Sequence, residues 1–305
     1  MPSARRYAVY DVFTQEALAG NPLAIVFDSD GLDTEAMQKI AKEFNLSETV
    51  FLLPPETVGH AAAMRIFTPG RELPFAGHPT VGTAIALCED GQAGTTDLAI
   101  LMLEQKIGLV RCAISREGAE PFAEFDLPRL PQQIDCDVDK ASFAAAIGIG
   151  GHEIGFENHV PQLWSAGVPF VTLPVAGLDA AARTRADAAL WAEIAPRVDG
   201  VIADAYVYCR ETVGHDCAFH TRMFAPHMGI PEDPATGSAA AAFAGAIHHF
   251  DALGVGSHRF WLEQGIEMGR PSRIRLEIDV AEGAISAARI GGHAVKIAEG
   301  SLFVG

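Results

Sequence analysis

The chain has 305 residues and carries 22 Lys and Arg against 39 Asp and Glu, a formal net charge of −17 at pH 7. Its length is roughly twice that of an average domain, so we expect two domains or one large one. With 49% hydrophobic and 20% charged residues, the composition excludes disorder as the main state. The negative charge is unsuited to binding phosphate backbones, so we expect no nucleic-acid partner.

No targeting or membrane-spanning segment is recognisable in the sequence. The N-terminal residues lack the apolar core of a signal peptide, and no run approaches the roughly 18 apolar residues of a membrane span. These features predict a cytoplasmic protein without a membrane partner. The five cysteines are widely separated and form no Cys-x-x-Cys pair, which favours buried reduced thiols over a disulfide framework or a zinc site.

The first elements predicted along the chain are a hairpin and a helix. Residues 6–13 and 22–27 are strand-like, and Gly20-Asn21-Pro22 between them is typical of a turn. Asp33 is suited to cap a helix whose apolar residues recur at helical spacing and which ends near Asn45.

Two strands and a buried helix follow. The strands are expected over 49–53 and 61–67, and the helix over about 79–90. Pro79 suits the first helical position and Gly91 the C-terminal stop. Apolar residues surround most of the circumference of this helix, which predicts that it lies inside a core.

Residues 121–137 form the predicted junction between two domains. They follow strands expected over about 98–115, and they contain three prolines.

The second half of the chain repeats motifs of the first. Arg65-Ile66-Phe67-Thr68-Pro69 recurs as Arg222-Met223-Phe224-Ala225-Pro226, and Gly20-Asn21-Pro22-Leu23-Ala24-Ile25 is echoed in Gly167-Val168-Pro169-Phe170-Val171-Thr172. Each copy of the first motif is followed by a glycine that opens an alanine-rich helix, at Gly77 and Gly237. The repeat predicts two similar domains, each with strands around one apolar helix, with chance similarity as the alternative.

The two glycine-initiated helices are candidates for anion binding. If the halves face each other, both N-termini would present free N–H groups to one cleft suited to a carboxylate. The alternative is that Gly77 and Gly237 only permit tight turns.

Four titratable or polar residues near these helices are candidate site residues. Glu48 precedes an apolar strand, and a carboxyl in a low dielectric has a raised pKa and can take and give a proton near neutral pH. The alternative for Glu48 is a solvated strand end. His78, Asp233 and Ser238 also have structural explanations, as a packing residue, a turn former and a first-turn residue. Nucleotide-binding, metalloprotease and serine-hydrolase motifs are absent from the sequence.

An ordered set of motifs resembles the phenazine-biosynthesis PhzF-like family over nearly the whole chain. The motifs are Asp11-Val12-Phe13-Thr14, Gly20-Asn21-Pro22-Leu23-Ala24, Asn45-Leu46-Ser47-Glu48-Thr49, Gly77-His78-Pro79-Thr80, Glu232-Asp233-Pro234-Ala235-Thr236-Gly237-Ser238-Ala239, and Gln264-Gly265 with Met268-Gly269-Arg270-Pro271-Ser272. The resemblance implies a diaminopimelate-epimerase-like α+β fold. In that fold two pseudo-symmetric domains each wrap a mixed β-sheet or barrel around a central α-helix, with the active site between them.

The resemblance also implies the domain limits and the partners. The first domain would comprise residues 1–128 completed by the C-terminal strand 294–305, and the second would comprise 129–293. The partners would be a small-molecule carboxylate substrate and a second copy of the chain in a homodimer.

Epimerases and racemases of this fold use two cysteines as base and acid. Here the matching helix starts read Ala76-Gly77-His78 and Thr236-Gly237-Ser238, which disfavours two-thiol stereoinversion. The resemblance instead implies an isomerase without metal or cofactor, in which Glu48 shifts a proton within a small cyclic, unsaturated amino or hydroxy acid such as trans-2,3-dihydro-3-hydroxyanthranilate.

By the same resemblance, His78 and Asp233 are further catalytic residues. The residues implied to bind the substrate are Asn21, Ser47, Gly77, Gly237 and Ser238. An amino-acid racemase without the cysteine pair and a non-catalytic small-acid binding protein are the alternatives that stay open, and the physiological substrate is not determined.

Overall fold

The computed structural model describes residues 4–91, 96–118, 120–136 and 139–304. Two units are present: the first is Met1–Pro128 together with Gly291–Gly305, and the second is Arg129–Ile290. Asp137, the last residue of the predicted junction, lies outside the described residues. Within the described ranges, no helix has the length and apolar character needed to cross a membrane.

Among its described residues, the first unit contains two helices and nine strands, the last of which begins in the second unit. The helices are α1 (Thr34–Phe44) and α2 (Gly77–Glu89). The strands are β1 (Ala4–Val12), β2 (Asn21–Val26), β3 (Glu48–Leu53), β4 (Ala62–Phe67), β5 (Glu72–Leu73), β6 (Leu98–Gln105), β7 (Gly108–Ser115), β8 (Phe122–Asp126) and the part of β19 (Ala284–Phe303) that follows Ile290.

Eight of these strands close into a barrel around α2. The pairing runs β1, β2, β3, β4, β6, β7, β8 and β19, and β19 returns to pair with β1. Pairs β2–β3 and β4–β6 are parallel because a helix crosses over between the strands, whereas β1–β2, β3–β4, β6–β7 and β7–β8 are antiparallel. The C-terminal strand therefore completes the wall of the first unit.

Helix α2 fills the interior of this barrel. Every residue from Gly77 to Cys88 is buried, as predicted from its apolar circumference. Gly82 allows the close approach to the wall, since a Cβ there would lie 2.6 Å from Leu23 Cδ2 and 2.7 Å from Val12 Cγ2. The outer face of β3 and β4 is covered by α1, so these strands are buried on both sides.

The predicted elements of the first half are confirmed, with one shift. The hairpin forms between β1 and β2, and Asp33 caps α1 by accepting from the Ala36 N–H at 2.8 Å. Helix α2 begins at Gly77, two residues before the predicted start at Pro79. The reason is that the Thr80 N–H bonds the carbonyl of Ala76, which is extended and forms the N-cap.

In the described part of the second unit there are four α-helices and the strands from β9 onward. The helices are α3 (Lys140–Ala146), α4 (Leu178–Arg183), α5 (Ala188–Ile194) and α6 (Gly237–Asp251). The strands are β9 (Gln132–Ile134), β10 (Gln162–Ser165), β11 (Pro169–Pro174), β12 (Arg197–Val198), β13 (Val201–Ile202), β14 (Asp204–Cys209), β15 (Phe219–Ala225), β16 (Ile230–Asp233), β17 (Gly256–Gln264), β18 (Ser272–Ala281) and β19 up to Ile290.

The second unit repeats the strand order of the first. Its sheet runs β9, β10, β11, β14, β15, β17 and β18, with β11–β14 and β15–β17 parallel. Helix α6 is the buried counterpart of α2 and packs against β10, β11 and β18. On the other face of the sheet, α3, α4 and α5 cover β11 and β14. The α+β fold with a central helix in each repeat is confirmed.

A shared hydrogen-bond motif shows how closely the two units correspond. Glu104 in β6 accepts from the N–H groups of residues 56 and 57 at 2.7 and 2.9 Å. Glu263 in β17 accepts from those of residues 213 and 214, both at 2.7 Å. Glu104 therefore fastens the loop between β3 and β4, and Glu263 fastens the equivalent loop between β14 and β15.

Candidate active site

The two central helices differ from the others at their N-termini. In α1, α3, α4 and α5 a carboxylate accepts from a first-turn N–H; the acceptors are Asp33, Asp139, Glu211 and Asp187. Helix α2 starts after Ala76 and α6 after Thr236, and neither N-cap side chain makes a capping hydrogen bond. The partial positive charge at these two helix starts is suited to a carboxylate ligand.

Glu48 and His78 meet at the start of α2. Glu48 is the first residue of β3, and His78 is the second residue of α2. His78 Nε2 lies 3.3 Å from Glu48 Oε2, and the two side chains are 5% and 15% exposed. Parallel pairing sets Glu48 opposite Leu23, a residue that packs against α2, so the strand presents the carboxyl to the helix.

Burial keeps the imidazole of His78 neutral. It lowers the pKa of His78 to about 3, against a smaller opposing effect of a hydrogen bond to Pro22. Pro22 offers only a carbonyl, so the ring donates there. Nε2 makes no hydrogen bond of ordinary geometry within the described residues, so Nδ1 is the donor. The Nε2 lone pair therefore faces the carboxyl of Glu48, and the pair can hold one proton between these atoms.

The other first-unit candidates lie at the same end of the barrel. Asn21 is buried at the start of β2, two residues before the residue that pairs with Glu48. Ser47 is half-buried directly before β3, and Gly77 is buried as the first residue of α2. The structure thus brings Asn21, Ser47 and Gly77 together with Glu48 and His78.

The second-unit candidates surround the start of α6. Asp233 ends β16 and is buried; its Oδ2 accepts from Thr236 Oγ1 at 2.5 Å, and its carbonyl accepts from the Gln264 amide at 2.8 Å. The bond to Thr236 also fits the turn-forming role considered for this residue. Gly237 is buried and Ser238 is partly exposed in the first turn. Joint action of these residues with those of the first unit stays a prediction.

Asp204 is a residue that the sequence analysis missed. It is the buried first residue of β14 and pairs in parallel register with Phe170, as Glu48 does with Leu23. Asp204 is therefore the counterpart of Glu48, and its Oδ1 lies 3.3 Å from Nδ1 of His227. The sequence repeat that matches Gly20–Ile25 with Gly167–Thr172 makes Phe170 the counterpart of Leu23. Once strand pairing is known, this repeat identifies Asp204 as the counterpart of Glu48.

The cysteines occupy other places. Cys88 and Cys112 are buried in the first unit, away from the start of α2. Burial raises the pKa of Cys209 to about 12 and that of Cys217 to about 11, which keeps both thiols protonated near neutral pH. Among the described residues, no three His, Cys, Asp or Glu side chains are grouped so that they could hold a metal ion.

Comparisons with known proteins agree on one family. A family model described as phenazine biosynthesis-like protein matches residues 10–300. An uncharacterized isomerase of Mesorhizobium japonicum is 60% identical over 98% of this chain and 99% of its own. The trans-2,3-dihydro-3-hydroxyanthranilate isomerase of Pseudomonas aeruginosa is 36% identical, again covering 98% of this chain and 99% of its own.

A solved structure supports the same conclusion. The PhzF-family phenazine biosynthesis protein of Bacillus anthracis superimposes with a TM-score of 0.88 at 28% identity, over 99% of this chain and 100% of that one. The Mesorhizobium japonicum and Pseudomonas aeruginosa relatives are both named isomerases. The chain therefore belongs to the phenazine biosynthesis-like, or PhzF, family.

Proposed function

We propose that this isomerase moves a proton within a small carboxylic acid without a cofactor and that Glu48 carries the proton. The observation that supports the proposal most directly is the Glu48 carboxyl, which is 15% exposed and lies 3.3 Å from the neutral imidazole of His78 at the start of α2, where the N-cap side chain makes no capping hydrogen bond. A carboxyl is a suitable acid and base for such a shift when it is held near its target and shielded from water.

The proposed step balances within the substrate and one carboxyl. Glu48 removes a proton from a substrate carbon, and the electron pair of the broken C–H bond enters the adjacent π-system. The protonated Glu48 then returns the proton to another carbon of that system, so neither oxidant nor reductant is needed. While Glu48 carries the proton, its O–H can donate to the Nε2 lone pair of His78.

The start of α2 would hold the substrate carboxylate and stabilise developing charge. Free N–H groups and the helix dipole favour negative charge at this position, and they are already oriented before the reaction starts. Asn21 and Ser47 would border the same position, and Asp233 and Ser238 would contact polar groups of the substrate. Each of these roles is part of the proposal.

The substrate class rests on the family. The Pseudomonas aeruginosa relative is named for an isomerase acting on trans-2,3-dihydro-3-hydroxyanthranilate. We propose a cyclic, unsaturated amino or hydroxy acid of this kind as the substrate, and this compound as the first to test. A homodimer and a cytoplasmic location are proposed with the function; sedimentation equilibrium and cell fractionation test them.

The decisive experiment measures proton exchange at carbon. The protein is incubated with trans-2,3-dihydro-3-hydroxyanthranilate in deuterated water, and product formation and deuterium incorporation are followed by NMR. Glu48→Gln is expected to lower kcat/KM by roughly 10²- to 10⁴-fold. Full activity of the folded Glu48→Gln variant would overturn the role of Glu48.

Glu104→Gln is the matched control. Glu104 also contacts a histidine in the first unit, with Oε1 2.6 Å from His60 Nδ1, but it fastens a loop and not the start of α2. Once folding is verified by circular dichroism, we expect Glu104→Gln to keep activity within a few-fold. Equal losses in both variants would attribute the effect of Glu48→Gln to structural damage.

A further inference from the structure

Gln105 and Gln264 occupy equivalent positions in the two units. Gln105 ends β6 and Gln264 ends β17. The parallel pairing of β6 with β4 has the same register as that of β17 with β15. Both side chains reach a threonine at the start of the central helix of their own unit. Thr80 is the fourth residue of α2 and Thr236 is the N-cap of α6, so the two glutamines are compared by the partners of each end of the carboxamide.

In the second unit, the glutamine side chain is satisfied by the protein. Gln264 Nε2 donates to the Asp233 carbonyl at 2.8 Å and to Thr236 Oγ1 at 3.0 Å. Its Oε1 accepts from the Thr236 N–H at 3.3 Å. Both ends of this carboxamide have protein partners, so it fixes the loop before α6.

In the first unit, only the donor end of the glutamine has a partner. Gln105 Nε2 donates to Thr80 Oγ1 at 3.0 Å. The Thr80 hydroxyl donates its own hydrogen to the Ala76 carbonyl at 2.8 Å, so its oxygen can only accept from Gln105. In this hydrogen-bond arrangement, Nε2 is the end of the carboxamide next to Thr80 and Oε1 is the other end. Gln105 is 9% exposed, and its Oε1 is buried without a hydrogen-bond partner among the described residues.

Gln105 is held near the start of α2 through its hydrogen bond to Thr80. Thr80 belongs to the first turn of α2, and Ala76 is the N-cap. At about 100° per residue, the side chains of His78 and Thr80 point to nearly opposite sides of the helix. A ligand at the start of α2 would therefore have Glu48 and His78 on one side and Gln105 on the other.

We propose that Gln105 determines specificity by accepting a hydrogen bond from an N–H or O–H group of the substrate. A buried acceptor without a partner is costly, so a ligand that supplies a donor is favoured over one that does not. The chemical class selected is a carboxylic acid with an amine or hydroxyl close to the carboxylate. This inference rests on the proposed function, because it needs the substrate carboxylate at the start of α2.

Equilibrium binding of three unreactive probes tests the inference. The probes are 2-aminobenzoate, 2-hydroxybenzoate and benzoate, which share a ring and a carboxylate and differ in the neighbouring donor. For the wild-type protein we expect the two donor probes to bind about 10- to 100-fold more tightly than benzoate. Gln105→Met keeps the side-chain length without the carboxamide, and it should reduce that preference to within about threefold while benzoate affinity changes little.

Thr83→Val is the matched control. Thr83 Oγ1 is another buried α2 oxygen without a hydrogen-bond partner in the described chain, one turn further along the helix. Its replacement should leave the donor preference intact. If Thr83→Val removes the preference as fully as Gln105→Met, packing and not the acceptor is responsible.

The remaining outcomes separate this inference from the proposed function. An unchanged preference in Gln105→Met, the result expected if Oε1 holds a structural water, would overturn the role of Gln105. A wild-type protein that binds no probe, or all three equally, would overturn it as well. The role of Glu48 is tested by turnover of Glu48→Gln, whereas the role of Gln105 is tested by equilibrium binding of the three probes. Either role can therefore be refuted while the other stands.

Discussion

His220 should make the stability of the second unit depend on pH. The ring is 1% exposed, with Nδ1 2.8 Å from Glu263 Oε1 and Nε2 3.0 Å from Glu267 Oε1. Burial alone would lower the pKa of His220, but the hydrogen bonds with Glu263 and Glu267 outweigh it and raise the pKa to about 9. The folded second unit therefore favours the imidazolium form.

The magnitude follows from proton linkage. A histidine titrates near 6.5 in the unfolded chain, so a folded value of about 9 contributes about 3 kcal/mol to the free energy of unfolding. Because the pKa is raised on folding, this contribution is complete below about pH 6.5. It is lost as the pH rises from there through about 9, where the folded imidazolium loses its proton.

Tryptophan fluorescence isolates the unit concerned. The three tryptophans, Trp164, Trp191 and Trp261, all lie in the second unit. Urea unfolding followed by this signal, at several pH values from about 6 to 9.5, gives the stability of wild type and His220→Gln. We expect a large difference in unfolding free energy at pH 6 that shrinks by about 3 kcal/mol toward pH 9.5. A difference independent of pH would refute the reasoning, and His215→Gln, an exposed histidine of the same unit, controls for removal of any imidazole.

Two further predictions concern the packing of the repeats. Arg222→Gln should lower the free energy of unfolding by about 3–5 kcal/mol in the same fluorescence assay, because it removes a guanidinium that is 1% exposed and that donates to Glu232 and to the carbonyls of Ala181 and Thr184. The equivalent Arg65 side chain is 28% exposed, so Arg65→Gln should lower the free energy of unfolding, measured by circular dichroism, by about 1 kcal/mol or less. Equal losses in the two variants would contradict the argument from burial. Gly82→Ala should lower the free energy of unfolding by about 1–3 kcal/mol and also lower the exchange activity, because the added methyl group displaces Leu23 and Val12. A variant that unfolds at the same temperature as the wild type would contradict the close contact.

Local patterns were sufficient to predict most elements of the first half. The hairpin, the Asp33-capped α1, and β3 and β4 depend on turn residues, capping and periodicity within short windows, and all four are confirmed. The start of α2 was placed two residues late because Pro79 suits the first helical position. The start of α2 is decided by the hydrogen bond from the Thr80 N–H to the Ala76 carbonyl, and no residue type in the sequence predicts that bond.

Features that depend on distant pairing could not be predicted from those windows. Barrel closure requires the C-terminal strand β19 to pair with β1, at the opposite end of the chain, and with β8. Gln105 Oε1 lacks a donor because the Thr80 hydroxyl donates its hydrogen to the Ala76 carbonyl and accepts from Gln105 Nε2. This arrangement exists only once the helix and strand have come together. Asp204 was missed because the spacing between equivalent residues is not constant along the two halves, so the sequence repeat did not align it with Glu48.

The duplicated architecture offers an internal comparison that separates structural residues from candidate chemical ones. The loop-fastening glutamates Glu104 and Glu263 are identical in both units and make the same backbone bonds, as expected of residues that hold the fold. Equivalent positions that differ are Glu48 and Asp204, and the helix-start residues His78 and Ser238. A structural requirement common to both units would favour the same side chain with the same hydrogen bonds twice, a pattern that Glu104 and Glu263 show and that Gln105 and Gln264, identical in type, do not. Glu48 and His78, which differ from their counterparts in the second unit, are on that criterion candidates for chemistry and not for holding the fold.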